Sequence, residues 1–202
     1  MIFDIHIHTF DHSPDARVPA SEIIRMAKAA ALDGIVLTEH DYIWFPHELE
    51  TLRRVTGGGL RVFSGAEICF PDMHLLVYGC PSGPVPVFTG PRDSIAWVRQ
   101  QGGAVVVAHP FGPDTVVDRV TLSGLGVDGV EVFNGRRKQM NSDACGWMGA
   151  MELAVTGGTD FHGRNDDRIG RCATVFPETI SSIGDIVRAI RDRRTAPIAP
   201  VT

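Results

Sequence analysis

Histidines and carboxylates recur along this 202-residue chain at spacings suited to binding cations. His6 and His8 stand two apart, as do Asp160 and His162 near the other end, and His40, Glu67, His74 and His109 lie between them. Residues i and i+2 of a strand point the same way, so each pair can reach one ion. A single His at a strand end usually caps a turn or packs with its ring nitrogens satisfied, and for any one of these residues that reading is the stronger. Six at corresponding positions resist six separate explanations. Crowded imidazoles would repel if protonated and lack partners if dry and neutral, whereas a cation accepts a lone pair from each neutral ring. No Ser, Cys or Lys nucleophile is needed for such chemistry, and no glycine-rich phosphate loop of the nucleotide-triphosphate type is present.

These side chains must be positioned by repeated elements. Short β-branched runs cover 2–5, 34–37, 61–64, 74–78, 104–108, 129–133, 153–156 and 172–176, and helical spacing covers 20–32, 46–55, 91–101, 139–151 and 181–194. Ser21-Glu22 are placed to serve the start of the first helix. This cadence predicts a parallel sheet of βα units, and continuous apolar runs such as Val105-Val106-Val107 are expected where both faces are buried. A barrel and an open doubly wound sheet both fit. The polar residues fall just past the strands, or at the start of one for His74, and in a βα barrel those ends converge on one mouth. Ligand pairs on the first and a late strand favour a barrel that nearly closes. Without a linker, repeat or low-complexity segment, residues 1–202 read as one domain.

Composition narrows the class. A hydrophobic fraction of 44% and a charged fraction of 21% are those of a globular protein. Net charge is -5 and the sequence pI about 5.9, so no basic surface announces nucleic acid and no stable nucleic-acid partner is expected. Cys69, Cys80, Cys145 and Cys172 form no CxxC pair, which favours a reducing, cytoplasmic setting. No signal peptide is expected at the N-terminus, and apolar runs such as Gly103 to Ala108 fall far short of the roughly 20 residues a membrane helix needs, so no membrane partner is expected.

The ordered motifs resemble those of the PHP (polymerase and histidinol phosphatase) superfamily: Asp4-Ile5-His6-Ile7-His8, Thr38-Glu39-His40-Asp41, Gly65-Ala66-Glu67-Ile68, His74-Leu75-Leu76, Ala108-His109-Pro110 and Gly158-Thr159-Asp160-Phe161-His162. The resemblance runs from Asp4 to about Arg194. It implies an α/β fold, a distorted (β/α)7 barrel with its metal site at the C-terminal ends of the strands. It also implies two or three divalent ions (Mn2+, Fe2+ or Zn2+) that hydrolyse phosphomonoesters or phosphodiesters, with ion-activated hydroxide as nucleophile and no catalytic side chain. Carried over residue by residue, His6, His8 and Asp160 would hold one ion, Glu67 would bridge to a second, and His74 and His109 would complete that site. His40 and His162 would hold a third ion, with a donor from the loop after His8. Asp11, His12 and Asp15 are the candidates there, and Asp15 is favoured because Ser13-Pro14-Asp15 reads most like the family's loop. The segment between His74 and His109 is short where some relatives carry a large insertion, so short loops and a shallow mouth are expected.

Among the remaining polar residues, Arg136 and Arg164 stand nearest the mouth in sequence and could grip a phosphate bidentately, whereas Arg137, Lys138 and Arg168 read as solvated loop charges. Glu39, Asp41 and Glu131 are expected to orient ligand histidines. Asp4 is expected to point away from the first ligand pair in a structural role, and His12 and His47 to lie on the surface. The leading expectation is hydrolysis of small phosphate esters. Amidohydrolases also carry HxH on the first barrel strand, but they usually lack a ligand like Glu67 and often bridge metals with a carboxylated Lys, and neither Lys28 nor Lys138 ends a strand as that would require. A noncatalytic metal-binding module would be expected to have lost ligands. This chain retains them all.

Overall fold

A computed structural model describes residues 1–110, 122, 124–136, 152–164 and 168–199. The apolar runs become strands: β1 (Ile2–Ile7), β2 (Gly34–His40), β3 (Tyr42–Ile43), β4 (Arg61–Phe70), β5 (Met73–Tyr78), β6 (Gly83–Pro84), β7 (Ala104–Ala108), β8 (Gly129–Asn134), β9 (Ala154–Gly158), β10 (Ala173–Val175) and β11 (Ala196–Ile198). Between them run α1 (Ala20–Ala29), α2 (Pro46–Val55), α3 (Pro91–Gln100) and α4 (Ile183–Arg191). The helix expected at 139–151 lies outside the described residues, as do Arg137, Lys138 and Cys145.

Nine strands form one sheet in the order β11-β10-β1-β2-β4-β5-β7-β8-β9, while β3 and β6 pair apart from it. β1 and the segment after β9 meet at the mouth. Ile7 and Phe161 form a parallel bridge, His8 N–H donates to Phe161 O at 2.9 Å, and Asp160 N–H donates to His6 O at 2.8 Å. At the other end β10 wedges between β1 and β9, where Gly157 N–H donates to Thr174 Oγ1 at 3.0 Å. The sheet is therefore a nearly closed, distorted barrel.

Its strands are not all parallel, which corrects the sequence expectation. β5 is antiparallel to both β4 and β7, and β10 is antiparallel to β1. Only Pro71-Asp72 separates β4 from β5, too little chain for the crossover that a parallel pair needs. Because β5 runs backwards, its first residues lie at the mouth with the last residues of its neighbours: His74 pairs with Cys69 and with Ala108.

The helices pack apolar stripes on the sheet. α1 buries Ala20, Ile23, Ile24 and Ala27, but Ser21 does not cap it; Asp11 Oδ2 accepts the Ala20 N–H at 2.7 Å instead. In α2, Glu48 Oε2 accepts the Phe45 N–H at 2.7 Å, and Pro46 supplies the preset φ of a first turn. α4 buries Ile186, Val187 and Ile190 against Phe3, Ile5, Leu76 and Val106, closing the barrel end remote from the mouth. Among the described residues no helix is long and apolar enough to cross a membrane.

Candidate metal centre

Register brings the donors together before any side-chain packing is considered. β2 pairs with β4 so that His40 lies beside Glu67, and β4 pairs with β5 so that Cys69 faces His74. Three residues at the strand ends take positive φ: Asp41 at 53°, His109 at 30° and Asp160 at 53°. Such geometry costs on the order of 1–3 kcal/mol per residue and persists where the surroundings enforce it, commonly at functional sites.

Glu67 is the hub. Its Oε1 lies 3.6 Å from His6 Nε2, 3.0 Å from His74 Nδ1 and 3.2 Å from His109 Nε2, and its Oε2 lies 3.1 Å from His8 Nε2 and 3.4 Å from His40 Nδ1. Asp160 Oδ1 sits 3.6 Å from His6 Nε2, 3.7 Å from His8 Nε2 and 3.3 Å from His162 Nδ1. Asp15 closes the far side, with Oδ1 3.2 Å from His40 Nε2 and Oδ2 3.0 Å from His162 Nε2. The other two candidates of that loop are turned elsewhere. Asp11 caps α1, and His12 stacks on Tyr42 with its Nε2 3.2 Å from Glu48 Oε1. All nine residues expected at the centre thus converge. Among the described residues, donor atoms fall within 4.8 Å of one another in His6, His109 and Asp160; in His8, His40 and His162; in His40, Glu67 and Cys69; and in Glu67 with either His6 and His8 or His74 and His109.

A buried shell aims these rings. Glu131 accepts from His6 Nδ1–H at 2.9 Å, and its other oxygen accepts from His109 N–H at 3.0 Å and Asn134 Nδ2 at 2.9 Å. Glu39 acts on His8 at one remove. Ser13 Oγ lies 3.4 Å from His8 Nδ1 and donates to Glu39 Oε2 at 2.6 Å, while Thr9 N–H, Thr9 Oγ1 and Trp44 Nε1 also donate to Glu39. Asp41 departs from expectation: it lines the pocket and uses its backbone, donating N–H to Glu67 O at 3.0 Å and accepting Val85 N–H at 2.8 Å. Asp4 is structural, accepting from Thr159 N–H at 3.0 Å and from Gly170 N–H at 3.3 Å. The register of β1 against β2 shifts between Asp4 and Ile7, and Ile5 and Ile7 pack in different core clusters, so plain strand alternation does not relate Asp4 to His6 and His8. Gly158 sits directly beneath them, where a Cβ would lie 2.5 Å from His6 Cβ and 2.7 Å from Glu131 Oε1.

The electrostatics call for a cation. Glu67, Glu131 and Asp160 are all but fully buried. Burial alone would raise the Glu67 pKa, but the His6 charge and the hydrogen bonds from His109 and His74 outweigh it and hold the carboxyl well below its usual range. Burial disfavours charge on His6 too, yet Glu131, Asp160 and Glu67 overcome it and raise that ring's pKa well above the ordinary value. Burial takes His8 the other way, down to about 4. The Nε2 atoms of His6 and His8 are buried and make no hydrogen bond, although both face carboxylate oxygens. A divalent cation fits these residues: it takes both lone pairs and supplies the positive charge that the carboxylates otherwise draw from a proton on His6.

Above the donors a cavity of about 320 Å3 is lined by Asp41, Cys69 and Arg136 as well as ligand candidates, Asp15 among them. Arg136 Nη1 lies 3.6 Å from Asp160 Oδ1 and 3.1 Å from His162 Nδ1. Arg164 is at the rim, half-exposed, with Nη2 4.0 Å from Asp15 Oδ2. His47 is exposed on α2, as expected. Sequence reading missed Ser13 and Cys69. For Cys69 the signal was available, because Glu67-x-Cys69 repeats the spacing that singled out His6 and His8.

Fold and site together define a distorted α/β barrel whose mouth carries the donor set for divalent metal. A family model described as PHP-associated matches residues 138–195. An uncharacterized protein of Methanocaldococcus jannaschii is 26% identical over 140 residues, covering 65% of this chain and 80% of the relative. A two-domain protein of Bacteroides vulgatus containing a predicted PHP-like metal-dependent phosphoesterase superposes with a TM-score of 0.75 at 22% identity, covering 99% of this chain and 65% of the other. An amidohydrolase of Chromobacterium violaceum, solved with bound sulfate and no metal, superposes with a TM-score of 0.65 at 16% identity, covering 98% of each chain. These superpositions show that the chain shares the fold of PHP-like barrels.

Proposed function

We propose that this chain is a metal-dependent phosphoesterase acting on small phosphomonoesters or phosphodiesters. Two or three divalent ions, Mn2+, Fe2+ or Zn2+, would be held by His6, His8, Asp15, His40, Glu67, His74, His109, Asp160 and His162. When bound, such ions supply Lewis acidity, neutralising phosphoryl charge and making water acidic enough to attack near neutral pH. The carrying observation is a guanidinium beside this donor set: Arg136 faces the same cavity as Glu67 and His162. A planar donor fork there suits a tetrahedral oxyanion, and its fixed charge favours substrate anions where the chain's net charge of -5 does not. Arg164 is placed to reach a substrate at the rim. Backbone bonds to Asp160 and Phe161, the Glu131 hydrogen bond to His6 and the Ser13–Glu39 relay to His8 hold the two rings, so no reorganisation of the donors is needed when substrate arrives.

Hydrolysis of a carbon–nitrogen bond is the second reading, supported by the likeness to the amidohydrolase. Against it, Lys28 donates to Thr56 O at 2.6 Å and is not part of the donor cluster, so it offers no carboxylated bridge. Exhaustive chelation followed by Mn2+, Fe2+ or Zn2+ reconstitution, assayed on aryl phosphates, diaryl phosphates and cyclic amides, tests the proposal. Chelation should abolish phosphate-ester turnover and one or more of these ions restore it. Full turnover of the demetallated protein, or turnover of amides alone, would overturn it.

A further inference from the structure

We propose that Cys69 is a further metal ligand of this centre, completing a thiolate-bearing position with His40 and Glu67 that favours Zn2+ or Co2+ over Mn2+. This rests on the metal-centre reading above. Cys69 ends the β4 face that begins with Glu67, and its strand register sets it directly opposite His74. Its Sγ lies 3.5 Å from His40 Nδ1 and 3.7 Å from His74 Nδ1, and its donor atom, one from His40 and one from Glu67 fall within 4.8 Å of one another. His40 can turn either nitrogen to an ion, one tautomer at a time: Nε2 faces Asp15, while Nδ1 faces Glu67 Oε2 and the thiol. An independent observation points to a cation in the same place. The wholly buried Nε2 of His8 makes no hydrogen bond and is aimed at the same Glu67 Oε2, 3.1 Å away.

Thiolate is a soft ligand that selects Zn2+ and Co2+ from the hard ions favoured by an all-carboxylate site. Coordination exchanges the thiol proton for the cation: the S–H bond breaks, the sulfur lone pair binds the ion, and the proton leaves to solvent. The side chain is exposed on the cavity wall, so ions and alkylating reagents can both reach it.

Co2+ reconstitution of the full chain tests this. Cobalt bound by equilibrium dialysis should bring a near-ultraviolet thiolate-to-cobalt band. The band should vanish in Cys69→Ser and persist in Cys80→Ser, Cys145→Ser and Cys172→Ser. Outer-shell partners alone are commonly worth about 10–100-fold in affinity, so Cys69→Ser should weaken Zn2+ at least tenfold and leave Mn2+ nearly unchanged. Stoichiometric Co2+ without the band, or a band surviving in Cys69→Ser, would overturn this inference and leave the metal centre standing. No Co2+ binding at all would overturn both.

Discussion

Five imidazoles meet the carboxylate of Glu67, which makes that side chain the most consequential single residue of the centre. Glu67→Ala should lose more metal than any single His→Ala variant, because one carboxylate there serves several donor groups and screens cation repulsion. Elemental analysis of the purified variants measures this, and full metal retention in Glu67→Ala beside loss in His6→Ala would refute the hub. Ser13→Ala removes the hydroxyl between His8 and Glu39 and should weaken metal binding about 10–100-fold without touching a ligand. In the same loop, Asp15→Ala should depress metal content. Asp11→Ala should instead lower stability by about 1 kcal/mol through the α1 N-terminus and spare the metal. The donors were legible from the sequence because their types and i, i+2 spacing have few other uses. Asp15 was less so, since three donors crowd positions 11–15 and only the fold turns two of them away. Ser13 was not legible, because a hydroxyl in a loop has many ordinary uses and its partner Glu39 lies on another strand.

Every expected strand exists, and α2 keeps its expected bounds. What apolar pattern cannot carry is direction, since a buried run reads alike both ways; β5 was placed but expected parallel, and its reversal follows from the two-residue link to β4. Close approach between elements is equally silent in sequence. Gly158→Ala should drive its new Cβ into His6 and Glu131, so metal content should fall even where circular dichroism shows the fold retained. At α4 the capping pair is exposed and local. Ser182 Oγ accepts from Asp185 N–H, and the Asp185 carboxylate accepts from Ser181 N–H at 2.9 Å and Ser182 N–H at 2.8 Å. Those bonds, the one from Ser181 first, hold the Asp185 pKa below its ordinary value. A carboxyl depressed in the folded state adds stability above its unfolded pKa of about 3.9 and loses it as pH falls through the folded value. Asp185→Asn should therefore lower Tm at pH 7, and its deficit against the unsubstituted protein should shrink below about pH 4. Ser182→Ala should cost about 1 kcal/mol near neutrality. Melting curves across pH follow both, and a deficit for Asp185→Asn that stays constant into acid would show that its ionised carboxylate is not what matters.

Considered whole, the chain sets a compact cluster of donors at one end of a barrel, and on the proposed function most phosphate recognition would fall to cations and the Arg136 guanidinium. The described connections at the mouth are short, and those between β7 and β8 and between β8 and β9 lie largely outside the described residues. On the proposed function, the short described loops would collect little binding energy from the distant parts of a substrate, so such parts should add little to turnover. Small phosphate esters, aryl phosphates included, should be hydrolysed at broadly similar and modest rates. Arg136→Ala should then raise KM for every one of them by a similar factor. Hydrogen bonds to a charged group are worth about 1.5–3 kcal/mol, so that factor should be about 10–100. Arg136 also lies 3.6 Å from Asp160, so metal content must be shown equal in the two proteins before KM is read. With metal matched, a rise in KM and a nearly constant kcat marks a contact made equally to substrate and transition state. A fall in kcat with KM unchanged would place Arg136 on the charge that develops only in the transition state. One nucleotide turned over thousands of times faster than aryl phosphates would instead locate specificity in the loops around the mouth and refute the uniform-contact picture.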